Sequence, residues 1–420
     1  MNVNLRYGRG CLTVDLPDTT DIILPRFVPA VQDDVLALRE ALRHPIGSVP
    51  LADKVRPGNT VVIEHSDITR AVPNARVLPV LLAELETAGV RREDIALLNA
   101  LGTHRKQTGA ELRAMLGDFI VDTYRCFQHD GNDGANLVSL GTTSFGHSVR
   151  VNRRFIEADA RILTGLIEPH FFAGFSGGPK GVLPALAGAE SVLTNHGYAM
   201  IGHPNATWGR TKGNPIWEEM LEVAQMTEPT FLLNVTINAE GGITGVFAGD
   251  LVAAHGAGCA VVREQAMVPV AAPYDVVIVT NGGYPLDQNL YQMVKGMSAA
   301  KEIVRKDGAI FAIAACEDGI PDHGRYAALL AAGGSPQGVL DMLAQPDFAS
   351  PDQWQVQIQA IIQLHADVYV YSDGLTDAQI TAALFTPCHD IGATVRALAE
   401  RYGSRICVLP EGPYTVAYLS

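Results

Sequence analysis

Apolar positions along this chain recur with two periods, and the changes between them mark out the elements. Residues 2–16 alternate polar and apolar around Gly8-Arg9-Gly10, the pattern of a β-hairpin. Val31, Val35, Leu38 and Leu42 then fall at helical spacing, which predicts an amphipathic packing helix within 31–44. From Thr60 the pattern becomes strand, loop, helix, strand: TVVIEH at 60–65, SDITRAVPN at 66–74, VLPVLLAELETAG at 77–89 and IALLNAL at 95–101. Leu78, Leu81, Leu82, Leu85 and Ala88 form one face of that helix, and Gly89 stands where glycine stops a helix. This is a βαβ unit. Ligands of such folds sit outside the carboxyl ends of the strands, where Asp67, Thr69 and Arg70 follow the first strand and Gly102, Thr103 and His104 the second.

A further buried-strand pattern, ARILTGLIEPH, ends in Glu168 and His170, followed by GFSGGPKG at 174–181 and a short helix leading to Asn195 and His196. FLLNVTINAEGGITGVFAGD at 231–250 predicts a hairpin closed at Glu240-Gly241-Gly242. The apolar, proline-containing AMVPVAAPY marks the expected boundary between an N-terminal domain, 1–268, and a C-terminal domain, 273–420. Beyond it the strand patterns YDVVIVTNGG, GAIFAIAAC, ADVYVYSDG and SRICVLP alternate with helical segments. The expected fold class is α/β: two α/β domains with mostly parallel sheets and an active-site cleft between them. Tyr291, Gln292 and Lys295 follow the first strand of the second domain, with Gln292 and Lys295 on one helix face.

At 420 residues the chain exceeds one compact core, and 47% hydrophobic with 18% charged residues is ordinary for a globular protein. The net charge of −14 argues against nucleic acid or an anionic membrane as partner, so an anionic substrate needs a local positive cluster. Cys11, Cys126, Cys259, Cys316, Cys388 and Cys407 form no CxxC pair and read as free thiols of a reducing compartment. With no apolar leader at the N-terminus and no membrane-length apolar run, a cytoplasmic enzyme is the simplest expectation.

The chemistry concentrates between Glu168 and His196, which holds His170, five glycines, Lys180 and His196. Glycine permits close approach of the backbone to a ligand, so GFSGGPKG reads as a loop wrapped on phosphate or carboxylate oxygens. A P-loop is disfavoured, because Pro179 and Gly181 stand where glycine and Ser or Thr are required. The plain alternative is a glycine-rich turn with a solvated lysine and two packed histidines. SDITR is also compatible with an ordinary turn before a helix. A capping box from Thr108 to Glu111 accounts for Thr108 but not for His104, which is placed for acid–base work or for a structural hydrogen bond. Gln292 and Lys295 could equally form an exposed pair. No HxxxH or HExxH spacing occurs, so a bound metal must draw most of its ligands from an organic cofactor.

SDITR at 66–70, GTHR at 102–105, EPHFFAGFSGGPKG at 168–181, NH at 195–196 and YQMVKG at 291–296 together resemble the nickel-dependent lactate racemase family. The resemblance implies a nickel-pincer nucleotide, Ni(II)-pyridinium-3,5-bisthiocarboxylate mononucleotide, joined covalently to Lys180 by a thioamide. It implies that His196 is the protein's metal ligand and that Asp67, Ile68, Thr69 and Arg70 line the cofactor. His104 and His170 would be the paired acid and base. One takes the proton of a 2-hydroxyl as hydride leaves the carbon, and hydride return to the other face of the 2-keto acid inverts the centre. Tyr291, Gln292 and Lys295 would bind the substrate, and Trp354 is either a substrate wall or a packed aromatic. The implied partners are a small 2-hydroxy acid and cofactor-maturation proteins. Two other readings stay open: a metal-independent histidine hydro-lyase or hydrolase, and a non-catalytic nickel or nucleotide carrier.

Overall fold

The computed structural model describes residues 1–321 and 324–420. Its contacts divide the chain into two compact units, neither continuous in sequence. The first unit comprises Phe27–Asn195 and Gly209–Arg263, and the second comprises Met1–Arg26, His196–Trp208 and Glu264–Ser420. The continuous ranges 1–268 and 273–420 thus differ from the compact units: the N-terminal hairpin and the stretch opening at His196 both join the second.

The first unit is built on a six-stranded sheet in the spatial order Ile243–Gly249, Phe231–Ile237, Ala160–Leu166, Val61–Ser66, Ile95–Ala100 and Arg125–Gln128. Every neighbouring pair is parallel except the hairpin formed by the first two. The central strands are apolar along almost their whole length because both faces are covered, as parallel sheets require. Helix Asn74–Thr87 makes the crossover from Val61–Ser66 to Ile95–Ala100 and buries Val77, Leu78, Leu81 and Leu85 in the core that holds Ile63, Leu97, Ile162 and Leu233. The chain steps outward from Val61–Ser66 to Ile95–Ala100 and Arg125–Gln128, then returns to the opposite side at Ala160–Leu166. Strand order therefore reverses at Val61–Ser66, and the crevice at the carboxyl ends of these strands is the switch point of the sheet.

The second unit has its own six-stranded sheet, all parallel, ordered Thr386–Cys388, Asp367–Tyr371, Val304–Ile313, Tyr274–Thr280, Ile406–Leu409 and Asp21–Ile22. The N-terminal hairpin, Asn2–Tyr7 with Gly10–Asp15, forms as its alternation predicts. Its inward residues Val3, Leu5 and Val14 enter one core with Val276, Ile278, Phe311 and Ile313, which explains why the start of the chain belongs to this unit. The six cysteines are free thiols. No described helix is long and apolar enough to cross a membrane.

Candidate active site

Three strands of the first unit deliver polar side chains to the switch point. The turn after Val61–Ser66 carries Asp67, whose carboxylate is 3% exposed and accepts from the Thr69 hydroxyl at 2.7 Å and from its backbone N–H at 3.2 Å. The loop after Ile95–Ala100 carries His104, half-exposed, with Nδ1 at 2.6 Å from the Asp67 carboxylate. Burial pushes the Asp67 carboxyl up, but the hydrogen bonds from His104 and Thr69 and the nearby Arg70 charge outweigh it and leave the pKa below the ordinary value. Asp67 is therefore anionic and accepts a hydrogen bond from Nδ1–H of His104, so in the neutral ring Nε2 is the basic nitrogen. Arg70 reaches back to Glu168 at 3.4 Å. Ile68, exposed, joins neither contact. Asp67 was expected to line a cofactor, and the tie to His104 was not foreseen.

Beyond Ala160–Leu166, Pro169–His170 pairs with Gly174–Phe175 in a short antiparallel ladder that closes the FFAG turn. His170 is buried, and its Nδ1 accepts from the backbone N–H of Ala173 at 3.2 Å and, more weakly, of Phe172. A nitrogen that accepts carries no proton, so the proton of this neutral ring sits on Nε2. His104 and His170 thus hold opposite tautomers. The Phe172 ring meets His170 edge-on at 4.5 Å and lies 5.7 Å from the Lys180 ammonium, so it links the two.

Lys180 sits half-buried on the 3₁₀ turn Gly178–Gly181. The sequence suggested a loop wrapped on phosphate or carboxylate oxygens, and beside two of its glycines the structure places the protein's own side chains. Gly177 and Gly178 have φ of 71° and 52°, and a Cβ at either would fall 2.7 Å from the Asn234 side chain or 2.5 Å from the His255 ring. Their small size is used by the protein itself. Asn234, fully buried, accepts from the Gly178 N–H at 2.8 Å, and His255 Nε2 bonds the Ser176 carbonyl at 2.9 Å. Burial lowers the His255 pKa to about 4, so the ring is a neutral donor at physiological pH. Beneath Gly181 lies Glu64, wholly buried on the central strand; burial raises its pKa well above the ordinary range despite the Thr164 N–H at 3.0 Å. Sequence reasoning passed over Asn234, His255 and Glu64. Their one signal was a polar residue interrupting an otherwise apolar element.

In the second unit His196 is buried, with the Trp354 ring edge-on at 5.3 Å. Trp354 Nε1 donates to the Tyr291 hydroxyl at 3.1 Å, so this aromatic is packed against two of the expected site residues at once. Tyr291, Gln292 and Lys295 stand on helix Leu290–Lys301, capped by Asn289. They are partly exposed, whereas Leu290, Met293, Val294 and Gly296 to Ala300 are buried; of the three, Gln292 has its Oε1 atom itself buried.

Among the described residues no three His, Cys, Asp or Glu side chains converge to hold a metal ion. A single buried histidine is a fitting ligand for a metal that arrives with other donors already attached, and a half-buried amine on a short 3₁₀ turn is a fitting attachment point. Taken singly, His196 in the second unit and Lys180 in the first are each chemically suited to a group that carries its own metal-binding atoms.

A family model described as the lactate racemase N-terminal domain matches residues 7–209, and one for the lactate racemase C-terminal domain matches residues 270–416. Lactate racemase of Thermoanaerobacterium thermosaccharolyticum is 36% identical over 422 residues, 98% of each chain. Lactate racemase of Lactiplantibacillus plantarum is 37% identical over 379 residues, 89% of each chain. The structure of the lactate racemase apoprotein from T. thermosaccharolyticum superposes with a TM-score of 0.93 at 34% identity, covering 99% of this chain and 100% of that one. A crystal structure from Thermotoga maritima, with a TM-score of 0.70 at 19% identity over 94% of this chain and 100% of that one, shares the fold alone. These matches define an isomerase of the racemase class. The chain belongs to the lactate racemase family.

Proposed function

We propose that this chain interconverts the enantiomers of lactate or a closely related 2-hydroxy acid through the 2-keto acid, with a nickel-pincer nucleotide held covalently by Lys180 and through nickel by His196. When bound, that group supplies a hydride acceptor next to a metal ion. The observation that carries the reading is the opposite commitment of two imidazoles that follow the strands on either side of Val61–Ser66: His104 has Nδ1 engaged by Asp67, and His170 has Nδ1 engaged by backbone N–H groups. His104 is preset to take the hydroxyl proton at Nε2, and Asp67 stabilises the imidazolium that results. His170 is preset to offer an N–H to a substrate oxygen. The other enantiomer needs the opposite assignment, and imidazole, with an ordinary pKa of about 6.5, gains and loses a proton near neutrality. Lys295 and Gln292 hold the substrate carboxylate, which supplies the local positive charge that a chain of net charge −14 otherwise lacks. Asp67, Ile68, Thr69 and Arg70 border the cofactor, and Asp67 orients His104 as well. Loading of Lys180 requires separate maturation proteins.

The test is intact mass, nickel content and chiral analysis of protein made in cells that build the cofactor. Added mass disappears in Lys180→Ala, and nickel, about one per chain for a single site, is lost in His196→Ala. His104→Ala and His170→Ala keep the added mass and lose racemisation. An unmodified, metal-free chain that racemised lactate would overturn the proposal and favour metal-independent histidine chemistry.

A further inference from the structure

Helix Gln353–Gln363 of the second unit carries glutamines at 353, 355, 357 and 359, each no more than 3% exposed. A row of buried amides is a poor way to fill a core, since each polar group needs partners there. Successive helical residues turn by about 100°, so 353 and 357 share one face and 355 and 359 the opposite face. On one face Gln353 Nε2 donates to the His196 carbonyl at 3.1 Å, and Gln357 Nε2 donates to the Tyr198 carbonyl at 2.8 Å. On the other, Gln355 Nε2 donates to the Tyr291 carbonyl at 2.5 Å, and Gln359 Nε2 to the Ala383 carbonyl at 2.7 Å. The helix therefore grips three main-chain segments by their carbonyl oxygens: His196 to Tyr198, Tyr291 and Ala383. The first carries the proposed nickel ligand, and the second opens the helix that presents Gln292 and Lys295.

We infer that Gln353 and Gln355 are positioning residues with separable tasks. Gln353 fixes the backbone from which the His196 imidazole projects, and Gln355 fixes Tyr291 at the head of the substrate-binding helix. A carbonyl inside a helix has a second lone pair to accept such a bond, so Gln355 adds a restraint without breaking the helical ladder. The inference rests on the proposed roles of His196 and of Tyr291, Gln292 and Lys295.

The test uses the loaded enzyme with Gln353→Met or Gln355→Met, which keep an unbranched side chain of similar size and remove the amide. Outer residues that orient a metal ligand typically change affinity by about 10- to 100-fold. Gln353→Met is expected to speed nickel loss to a chelator by about tenfold with KM for lactate changed by less than about twofold. Gln355→Met is expected to raise KM by about tenfold and leave the rate of nickel loss within about twofold of the parent. Should the methionine variant fold poorly, Gln353→Asn keeps the amide but shortens its reach, and the same acceleration is expected. Equal effects of the two methionine variants on both readouts, tracking only their melting temperatures, would reduce the glutamines to structural ties and overturn the inference. His196→Ala separates the levels. If it keeps nickel as the parent does, the ligand assignment fails; if it releases nickel while Gln353→Met does not, only the positioning role fails.

Discussion

At the scale of single residues, what distinguishes His104 from His170 is the partner of Nδ1 rather than exposure or position in the chain. A carboxylate makes that nitrogen a donor in one ring, and backbone N–H groups make it an acceptor in the other. Asp67→Asn keeps the shape and removes the charge. It is expected to lower kcat by about 10- to 100-fold, the usual effect of losing a carboxylate behind a functional histidine, as measured by chiral analysis of lactate. Because the Asp67 pKa lies below its ordinary value in the folded chain, the carboxylate contributes stability above about pH 4 that is lost as pH falls through the native pKa. The difference in melting temperature between the parent and Asp67→Asn should therefore narrow on acidification; a difference that stays constant down to acid pH would contradict this account. The sequence placed Asp67 and His104 after neighbouring strands of one sheet but could not show their bond. A contact across 37 positions depends on how two loops bend.

At the scale of elements, the strands at the centre of each sheet were legible because burial on both faces leaves continuous apolar runs, the N-terminal hairpin because one-sided burial leaves alternation, and the hairpin of Phe231–Ile237 with Ile243–Gly249 because of its Glu240-Gly241-Gly242 turn. The edge strands Asp21–Ile22 and Arg125–Gln128 were not, being too short or too mixed to show a period. The glycine-rich loop was found, but the reason for its glycines was not, since the atoms they admit come from distant Asn234 and His255. Glu64 interrupts the apolar strand Val61–Ser66 and tests the same point. Its raised pKa means that the folded chain holds a proton which the unfolded chain releases above about pH 4.3, so stability falls as pH rises toward the native pKa, by at most about 1.4 kcal/mol per pH unit. Glu64→Gln removes that dependence. Its advantage over the parent in urea unfolding is expected to grow from pH 5 to pH 8, and equal advantages at both pH values would show that Glu64 is ionised in the native state.

At the scale of the whole molecule, chain order and compact units part company. Residues at the extreme N-terminus complete a core formed by strands near the C-terminus, and the stretch from His196 to Trp208 leaves the unit of its sequence neighbours. Leu5 is fully buried in that core. Leu5→Ala is expected to destabilise the second unit by about 2–5 kcal/mol, the usual range for a large-to-small core substitution. Equilibrium unfolding followed by a probe in that unit checks it, and a cost near zero would mean the hairpin is only loosely attached. By itself the sequence determined the order of strands and helices, the polar residues at the strand ends and the family, because periodicity and motif spacing are local properties of a chain. Tertiary structure alone decided which segments share a core, which nitrogen of each histidine is engaged and what the glycines make room for. Those depend on atoms far apart in sequence, which only the folded chain brings within hydrogen-bonding or van der Waals distance.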